Sequence, residues 1–302
     1  MKLVVTGATG FIGLALSSRL LERGHKLTLL NGHAPTDAST PAKTWRHWMP
    51  GTSGDWEASL DGADGVINLA GEPIAARRWT ESQKQKIRSS RIDATRSIVE
   101  GIVKAQRKPS FLLNGSAVGY YGPHGDEILT EETPAGSDFL SSLCRDWEEE
   151  AQGAESMGIR VVRLRTGIVL GSHGGALAKM VLPFKLFAGG SLGSGAQWMS
   201  WIHLEDEIGL ILYLIENPQA VGPVNGTAPN PVTMKDFCQT LGKVMRRPSW
   251  APVPSFALRL MLGEMADMLL TGQRAVPTAA KKLGYQFRYA NLSDALRACM
   301  PL

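Results

Sequence analysis

The sequence predicts an α/β fold: a doubly wound parallel sheet with helices on both faces, followed by a smaller and mainly helical C-terminal region. Three observations carry this. The chain opens on a strand–turn–helix–strand unit with glycines at its turn. Short apolar runs that end in small or polar residues recur at 66-VINLAG-71, 111-FLLNGSAVGYYG-122 and 163-RLRTGIVLG-171, each the length of a buried parallel strand. Longer segments of helical spacing lie between them, as crossover connections require.

Taken in order, LVV at residues 3–5 reads as a buried parallel strand. The stretch 11-FIGLALSSRLLERG-24 has apolar residues at helical spacing and stops at Gly24, a C-terminal cap. A second strand follows at 26-KLTLL-30. Gly7, Gly10 and Gly13 occupy the first turn: Gly7 permits the tight bend, Gly10 lets backbone approach a pyrophosphate, and Gly13 lets helix pack on strand. The phosphates would sit at the helix N-terminus, where unpaired N–H groups and the dipole favour anions. A crossover helix is expected from roughly Glu81 to Ala105. The chain leaves the sheet near 171, returns at 200–228 with a further strand in 223-PVNGTAP-229, and ends in helices. The expected division is a dinucleotide-binding domain over 1–170 completed by 200–228, with 171–199 and 229–302 as a C-terminal, substrate-side domain.

With 302 residues, 43% apolar and 20% charged, the composition is that of an ordinary globular protein, and a net charge of +4 makes it mildly basic. The densest basic run, 77-RRWTESQKQKIRSSR-91, reads as a helix face. Its basic residues are not interleaved with a stacking platform and match no known nucleic-acid-binding module, so no nucleic-acid partner is expected. Cys144, Cys238 and Cys299 are odd in number and far apart, which fits a reducing, cytoplasmic setting and no metal. Met1 and Lys2 run straight into the first strand, so no signal peptide is expected. No apolar run nears the ~20 residues that span a bilayer, so no membrane partner is expected. The segment 256-FALRLMLGEMADMLL-270 reads as a core or interface helix.

The end of the second strand bears on cofactor choice. An acid there would bond the adenosine ribose and select NAD. Here the residues are 31-NGH-33, and the next acid is Asp37. Its absence removes repulsion against a 2′-phosphate, and Asn31 and His33, with Lys43 and Arg46 nearby, are the candidate contacts. NADP(H) is the preferred cofactor, with NAD(H) the alternative.

TGATGFIG, NLAG, SAVGYYG, RLRTGIVLG and 200-SWIHLEDEIG-209 occur in the order found in the extended short-chain dehydrogenase/reductase superfamily, which this chain resembles over nearly its whole length. The segments EPIAARRWTESQKQKIRSSR and 271-TGQRAVPTAAKKLGYQFRYANLSDAL-296 are similar to one atypical branch of NAD-dependent epimerase/dehydratase-like "epimerase family proteins", which carry a C-terminal domain of unknown function. The resemblance implies a Rossmann-like fold, a monomer or homodimer, and a small-molecule substrate, anionic or sugar-like. It implies phosphate contacts from Gly7, Thr9, Gly10, Phe11, Ile12 and Gly13. Leu69, Ala70 and Gly71 would line the adenosine, and Ser116, Arg165, Thr166 and Gly167 the nicotinamide side. Relatives often carry an Arg just after the second strand, where this chain has Gly32.

Typical members use a Tyr to move the substrate proton, with a Lys four residues on that lowers the phenol's pKa. Aligning 133-TPAGSDFLSSLCRDWEEEA-151 with their pattern places Phe139 and Leu143 at those positions. The remaining candidate catalytic residues are Ser116 and Tyr120. Candidate substrate contacts are Arg78, Trp79, Tyr121, Trp201 and His203, with Lys179 and Lys185 beside the glycine-rich 189-GGSLGSGAQW-198 as an anion site. Plain structural roles compete with several of these: Tyr121 in a turn, His203 bonded to backbone, and Asp206 as N-cap of the helix EIGLILYLI. Two functions follow. One is an NADP(H)-dependent oxidoreductase or epimerase. The other is a non-catalytic NADP(H)-binding redox sensor or interaction protein.

Overall fold

The computed structural model describes residues 1–32 and 40–300; His33 and Asp37 lie outside the described residues. Seven parallel strands form the main sheet: β1 (Lys2–Thr6), β2 (Lys26–Asn31), β3 (Lys43–His47), β4 (Gly65–Asn68), β5 (Phe111–Ala117), β6 (Arg160–Thr166) and β7 (Gly222–Gly226). Their spatial order is β7-β6-β5-β4-β1-β2-β3, with every neighbouring pair parallel. The doubly wound sheet is therefore as the sequence predicts, and the strand in PVNGTAP closes one edge.

Period-two alternation in β1 divides the core. Leu3 and Val5 face one side and pack with Leu16 and Leu20 of α1 (Phe11–Glu22) and with Ile208 and Ile211 of a later helix. Val4 faces the other side with Ile98 of α2 (Glu81–Lys104) and Ala151 of α3 (Phe139–Gln152). α1 stops because Gly24 takes φ +77°, which lets the Gly24 and His25 N–H groups bond back to Leu21 and Leu20. α2 begins at Thr80, whose hydroxyl accepts from the Gln83 N–H at 3.2 Å.

A third apolar cluster lies off the sheet. It joins α4 (Gly175–Lys185), α6 (Met234–Met245) and the 292–299 helix around Trp201, Phe184 and Phe237, whereas α5 (Leu204–Glu216) packs on the sheet through Ile208 and Ile211. The 256–270 segment is not the single helix its composition implies. Gly263, at φ +62°, ends α7 (Ser255–Leu262), and a short turn and a four-residue helix follow. Leu258, Met265 and Ala266 are buried, while Phe256, Leu260 and Met261 face outward.

α5 corrects a second expectation. His203 is its N-cap, its Nδ1 accepting from the Glu205 N–H at 3.1 Å, and its ring lies 4.0 Å from that of Tyr289. Because the imidazole takes the cap, Asp206 is free for another task. Its carboxylate accepts the Arg288 and Tyr289 N–H groups at 2.8 Å each, and the Tyr285 hydroxyl donates to its carbonyl at 3.0 Å. A buried acid thus fastens the C-terminal segment to the sheet domain. Asp206→Ala should lower unfolding free energy by about 3 kcal/mol, because two charge-assisted bonds go and two N–H groups lose their acceptor. Asp206→Asn should cost less. Urea denaturation of the two variants checks the ranking.

Candidate functional site

The strand order turns at β1, which has β2 on one side and β4 on the other, so the sheet's ligand crevice opens at their carboxyl ends. Polar residues line up in register across three strands, at the ends of β1 and β4 and midway along β5: Thr6 pairs with Asn68, and Asn68 with Asn114, all fully buried. The Thr6 hydroxyl donates to Asn68 Oδ1 at 2.5 Å. Asn68 Nδ2 donates to Asn114 Oδ1 at 2.6 Å and to Thr95 Oγ1 at 2.9 Å, and the Trp147 indole also donates to Thr95. Thr6 Oγ1 in turn accepts the Leu69 and Ala70 N–H groups at 3.2 Å, which sets the path of one crevice wall. This ladder was not singled out from the sequence. Its signal is three runs, VVT, VIN and LLN, that break from apolar to polar at the same step.

The facing wall is the glycine turn. Gly7 sits at φ +68°, and a methyl there would lie 2.5 Å from Leu69 O; one on Gly13 would lie 2.1 Å from Gly7 O. Gly10 is different: a methyl would meet only Gly7 O, at 3.3 Å, so its open side is what a bound group would use. The first closed turn of α1 is Leu14 N–H to Gly10 O, and no side chain caps the helix or places an acid in its first turn. The N–H groups of Phe11, Ile12 and Gly13 therefore have no intrahelical acceptor. Thr9 and Gly10 are exposed beside them. The Phe11 ring rests on Gly171, Gly174 and Gly175, where a methyl would come within 2.7–3.0 Å of it. Leu69, Ala70 and Gly71 stand opposite, and Gly71 leans on the buried Arg91, whose guanidinium donates to Glu72 O. The glycine turn and the 69–71 segment thus lie side by side at one edge of the sheet.

At the end of β2, Asn31 is paired with His47 of β3, an exposed histidine in a strand that KTWRH does not announce by its hydropathy. Lys43 sits at the other end of β3, opposite Leu27, while Arg46 pairs with Leu30, one residue before Asn31, and lines a cavity with Lys2, Lys26 and Asp61.

Several expected contacts are held in the core. Arg165 is 3% exposed and forms a two-pronged ion pair with Glu148, at 2.8 and 2.9 Å. Ser116 is buried and donates its proton to the same carboxylate at 2.7 Å, so it has no proton left for a substrate oxygen. Tyr121 is fully buried, with its hydroxyl donating to Asn225 and accepting from Arg165; burial pushes the phenol up to about 12, against the pull of Arg165. Trp201 is fully buried with its indole on Asn230 O. Tyr121, Trp201 and the cap His203 are therefore withdrawn as substrate contacts. The 189–198 glycines are not an open anion cradle either: this segment runs beside 249–253, and a methyl on Gly190 would strike Ala251 O at 2.1 Å. Lys179 reaches the Ala75 carbonyl at 3.0 Å.

Tyr120 remains. It is half-buried one short turn beyond β5, its ring lies 3.5 Å from the Arg165 guanidinium, and its hydroxyl makes no hydrogen bond among the described residues. Phe139 and Leu143 belong to an apolar cluster with Ile87 and Trp147, and Phe139 meets the Trp79 ring edge-on at 5.3 Å. Trp79 donates to Ile74 O, so it packs, whereas Arg77 and Arg78 are exposed. Among the described residues no three His, Cys, Asp or Glu side chains converge as a metal site, and no helix is long and apolar enough to cross a membrane.

Residues 3–225 match the model of the NAD dependent epimerase/dehydratase family. The chain belongs to that family. Residues 253–299 match a domain of unknown function, DUF1731. The "Epimerase family protein SDR39U1 homolog, chloroplastic" of Arabidopsis thaliana is 44% identical, over 99% of this chain and 87% of its own. The epimerase family protein YfhF of Bacillus subtilis is 44% identical, over 98% and 97%. The crystal structure of human epimerase family protein SDR39U1 (isoform 2) with NADPH superimposes at TM-score 0.87, with 34% identity and 98% of each chain covered.

Glu207, in the first turn of α5, escaped the sequence reading. It is wholly buried; Thr166 donates to its Oε1 at 2.8 Å, Oε2 has no hydrogen-bond partner among the described residues, and a methyl on Gly226 would lie 2.7 Å from Oε2. Burial pushes this carboxyl from 4.5 up to about 8, with the Thr166 bond opposing. The folded state therefore holds a proton that the unfolded chain releases. This contribution to stability is complete below pH 4.5 and is lost as pH rises toward about 8, at up to ~1.4 kcal/mol per pH unit. Denaturation from pH 5 to 9 should show that fall in the natural protein and not in Glu207→Gln.

Proposed function

We propose that the protein binds NADP(H) in the crevice between the first turn and residues 69–71, and acts as an oxidoreductase or epimerase on a small, anionic or sugar-like carbonyl or alcohol. The open side of Gly10, beside three N–H groups with no acceptor among the described residues, is the observation that carries the cofactor reading. The NADPH in the 34%-identical human structure supports it, as does a β2 end whose described residues, Asn31 and Gly32, hold no acid.

A nicotinamide, when bound, supplies a hydride donor or acceptor. The chain's own residues then have distinct tasks. The Phe11, Ile12 and Gly13 amides hold the pyrophosphate charge. Leu69, Ala70 and Gly71 wall the adenosine. Thr166 and Gly167, at the end of β6, border the nicotinamide side. Tyr120 has the free hydroxyl that gives or takes the substrate proton, and the Arg165 cation against its ring fixes the ring's orientation. Exposed Arg77 and Arg78 attract an anionic substrate.

A second reading has its own support. Ser116 is locked to Glu148, and apolar packing fills the positions of Phe139 and Leu143, as in a protein that senses the cofactor's redox state without turning over a substrate.

Equilibrium titration with NADPH, NADP⁺, NADH and NAD⁺ tests both. NADPH should bind at least about tenfold more tightly than NADH. On a carbonyl and nucleotide-sugar panel, Tyr120→Phe should lower kcat by roughly 10²–10⁴ while leaving NADPH affinity unchanged. Tight NADPH binding with no turnover, and a different affinity for NADP⁺, would instead establish the sensor. Failure of all four nucleotides to bind refutes both readings.

A further inference from the structure

One region of the surface is both apolar and positively charged. Leu186, Phe187, Trp250, Phe256, Leu260 and Met261 are each more than half exposed, with Leu260 at 78%. They come from segments that adjoin in the fold or follow one another along the chain. The Trp250 indole donates to Phe187 O at 3.0 Å, and the segments around 189 and 249 run side by side through Gly189–Ser249 and Leu192–Val253 bridges. α7 starts two residues after Val253, and its outer side carries Phe256, Leu260 and Met261.

The charge around them has one sign. No Asp or Glu occurs from 172 to 204 or from 237 to 263, the two segments that build this face. Lys185, Lys243, Arg246 and Arg247 lie in them and form no ion pair among the described residues, and the Arg247 guanidinium stands 4.4 Å from the Phe187 ring. Only Arg259 is compensated, by Asp267 at 3.2 Å.

We propose that this face docks the protein on an anionic lipid bilayer as a peripheral, non-spanning contact. The chemistry selects that occupant. Stable surface attachment needs two signals, apolar side chains entering the headgroup region and cations meeting anionic lipid, and both are present on the same few residues. Trp250 and Phe256 are the side-chain types that settle at such an interface. A second copy of the chain is disfavoured, because a two-fold contact sets a patch against itself and would bring Lys185 and Arg247 against their own equivalents with no acid in either segment. α7 also ends beside the substrate-side arginines: a methyl on Gly263 would lie 2.7 Å from Arg78 Nε.

Co-sedimentation of the full chain with vesicles tests this, comparing phosphatidylcholine alone with phosphatidylcholine mixed with phosphatidylglycerol. The chain should pellet with the mixed vesicles only, and raised salt should release it. Lys185→Gln with Arg247→Gln should lower the partition coefficient roughly 25-fold, about fivefold per cation. Phe256→Gln with Leu260→Gln should lower it about tenfold or more. Both pairs are at exposed positions, and thermal melts matching the natural protein keep loss of fold out of the reading. Three results would overturn the proposal: no pelleting with mixed vesicles, pelleting that the variants do not change, or variants that alter only oligomeric mass in light scattering.

Discussion

The crevice depends on a polar ladder set across three strands, at the carboxyl ends of β1 and β4 and beside them on β5. Thr6, Asn68 and Asn114 have no exposure, yet each donor in the ladder has an acceptor, and Thr95 and Trp147 complete it from the helices behind. A buried polar group without a partner costs about 1–3 kcal/mol, so such a network holds one arrangement against alternatives that would leave a member unpaired. Its last two bonds go to backbone N–H groups of residues 69 and 70, and this transfers the ladder's rigidity to the crevice wall. The glycine turn then has one way to fit: Gly7 against Leu69 and Gly13 against Gly7, both at distances no side chain would allow.

A second constraint shapes what the site can do. Arg165 and Glu148 form a buried pair, and pairs of this kind tolerate little change because either charge alone would be stranded. The pair also engages Ser116 and Tyr121, so two residues with hydroxyls suited to chemistry act as supports instead. Tyr120 is next in sequence to Tyr121 and its ring meets the same guanidinium, yet its oxygen has no hydrogen bond among the described residues, and the difference between the two tyrosines is one of burial.

The opening unit, the strand ends and the start and stop of the first two helices were legible because each rests on local chemistry: apolar period, capping hydroxyl, glycine at positive φ. His47 was not, since KTWRH lacks a strand's apolar alternation and pairs only because β2 presents an edge. Asp206 read as a cap because an acid in a first turn usually is one; its partners lie more than eighty residues away. Glu148 and Arg165 are 17 residues apart and meet only once α3 crosses β6. Family resemblance made Ser116 and Tyr120 the candidates, but which hydroxyl keeps a free proton follows from three-dimensional packing.

Phe11 has a consequence for communication across the molecule. Its backbone amide belongs to the proposed phosphate cradle, while its ring is the surface on which Gly171, Gly174 and Gly175 rest just ahead of α4. Ordering of that one residue is therefore shared by the first turn and by the helix that borders the apolar face. Such sharing makes two events thermodynamically linked: whatever stiffens one end lowers the entropy still to be lost at the other. By reciprocity, contact at α4 would strengthen affinity at the first turn by the same factor. A single aromatic ring would then make occupancy of the crevice and engagement of a distant surface cooperative, with no change in the shape of the sheet between them.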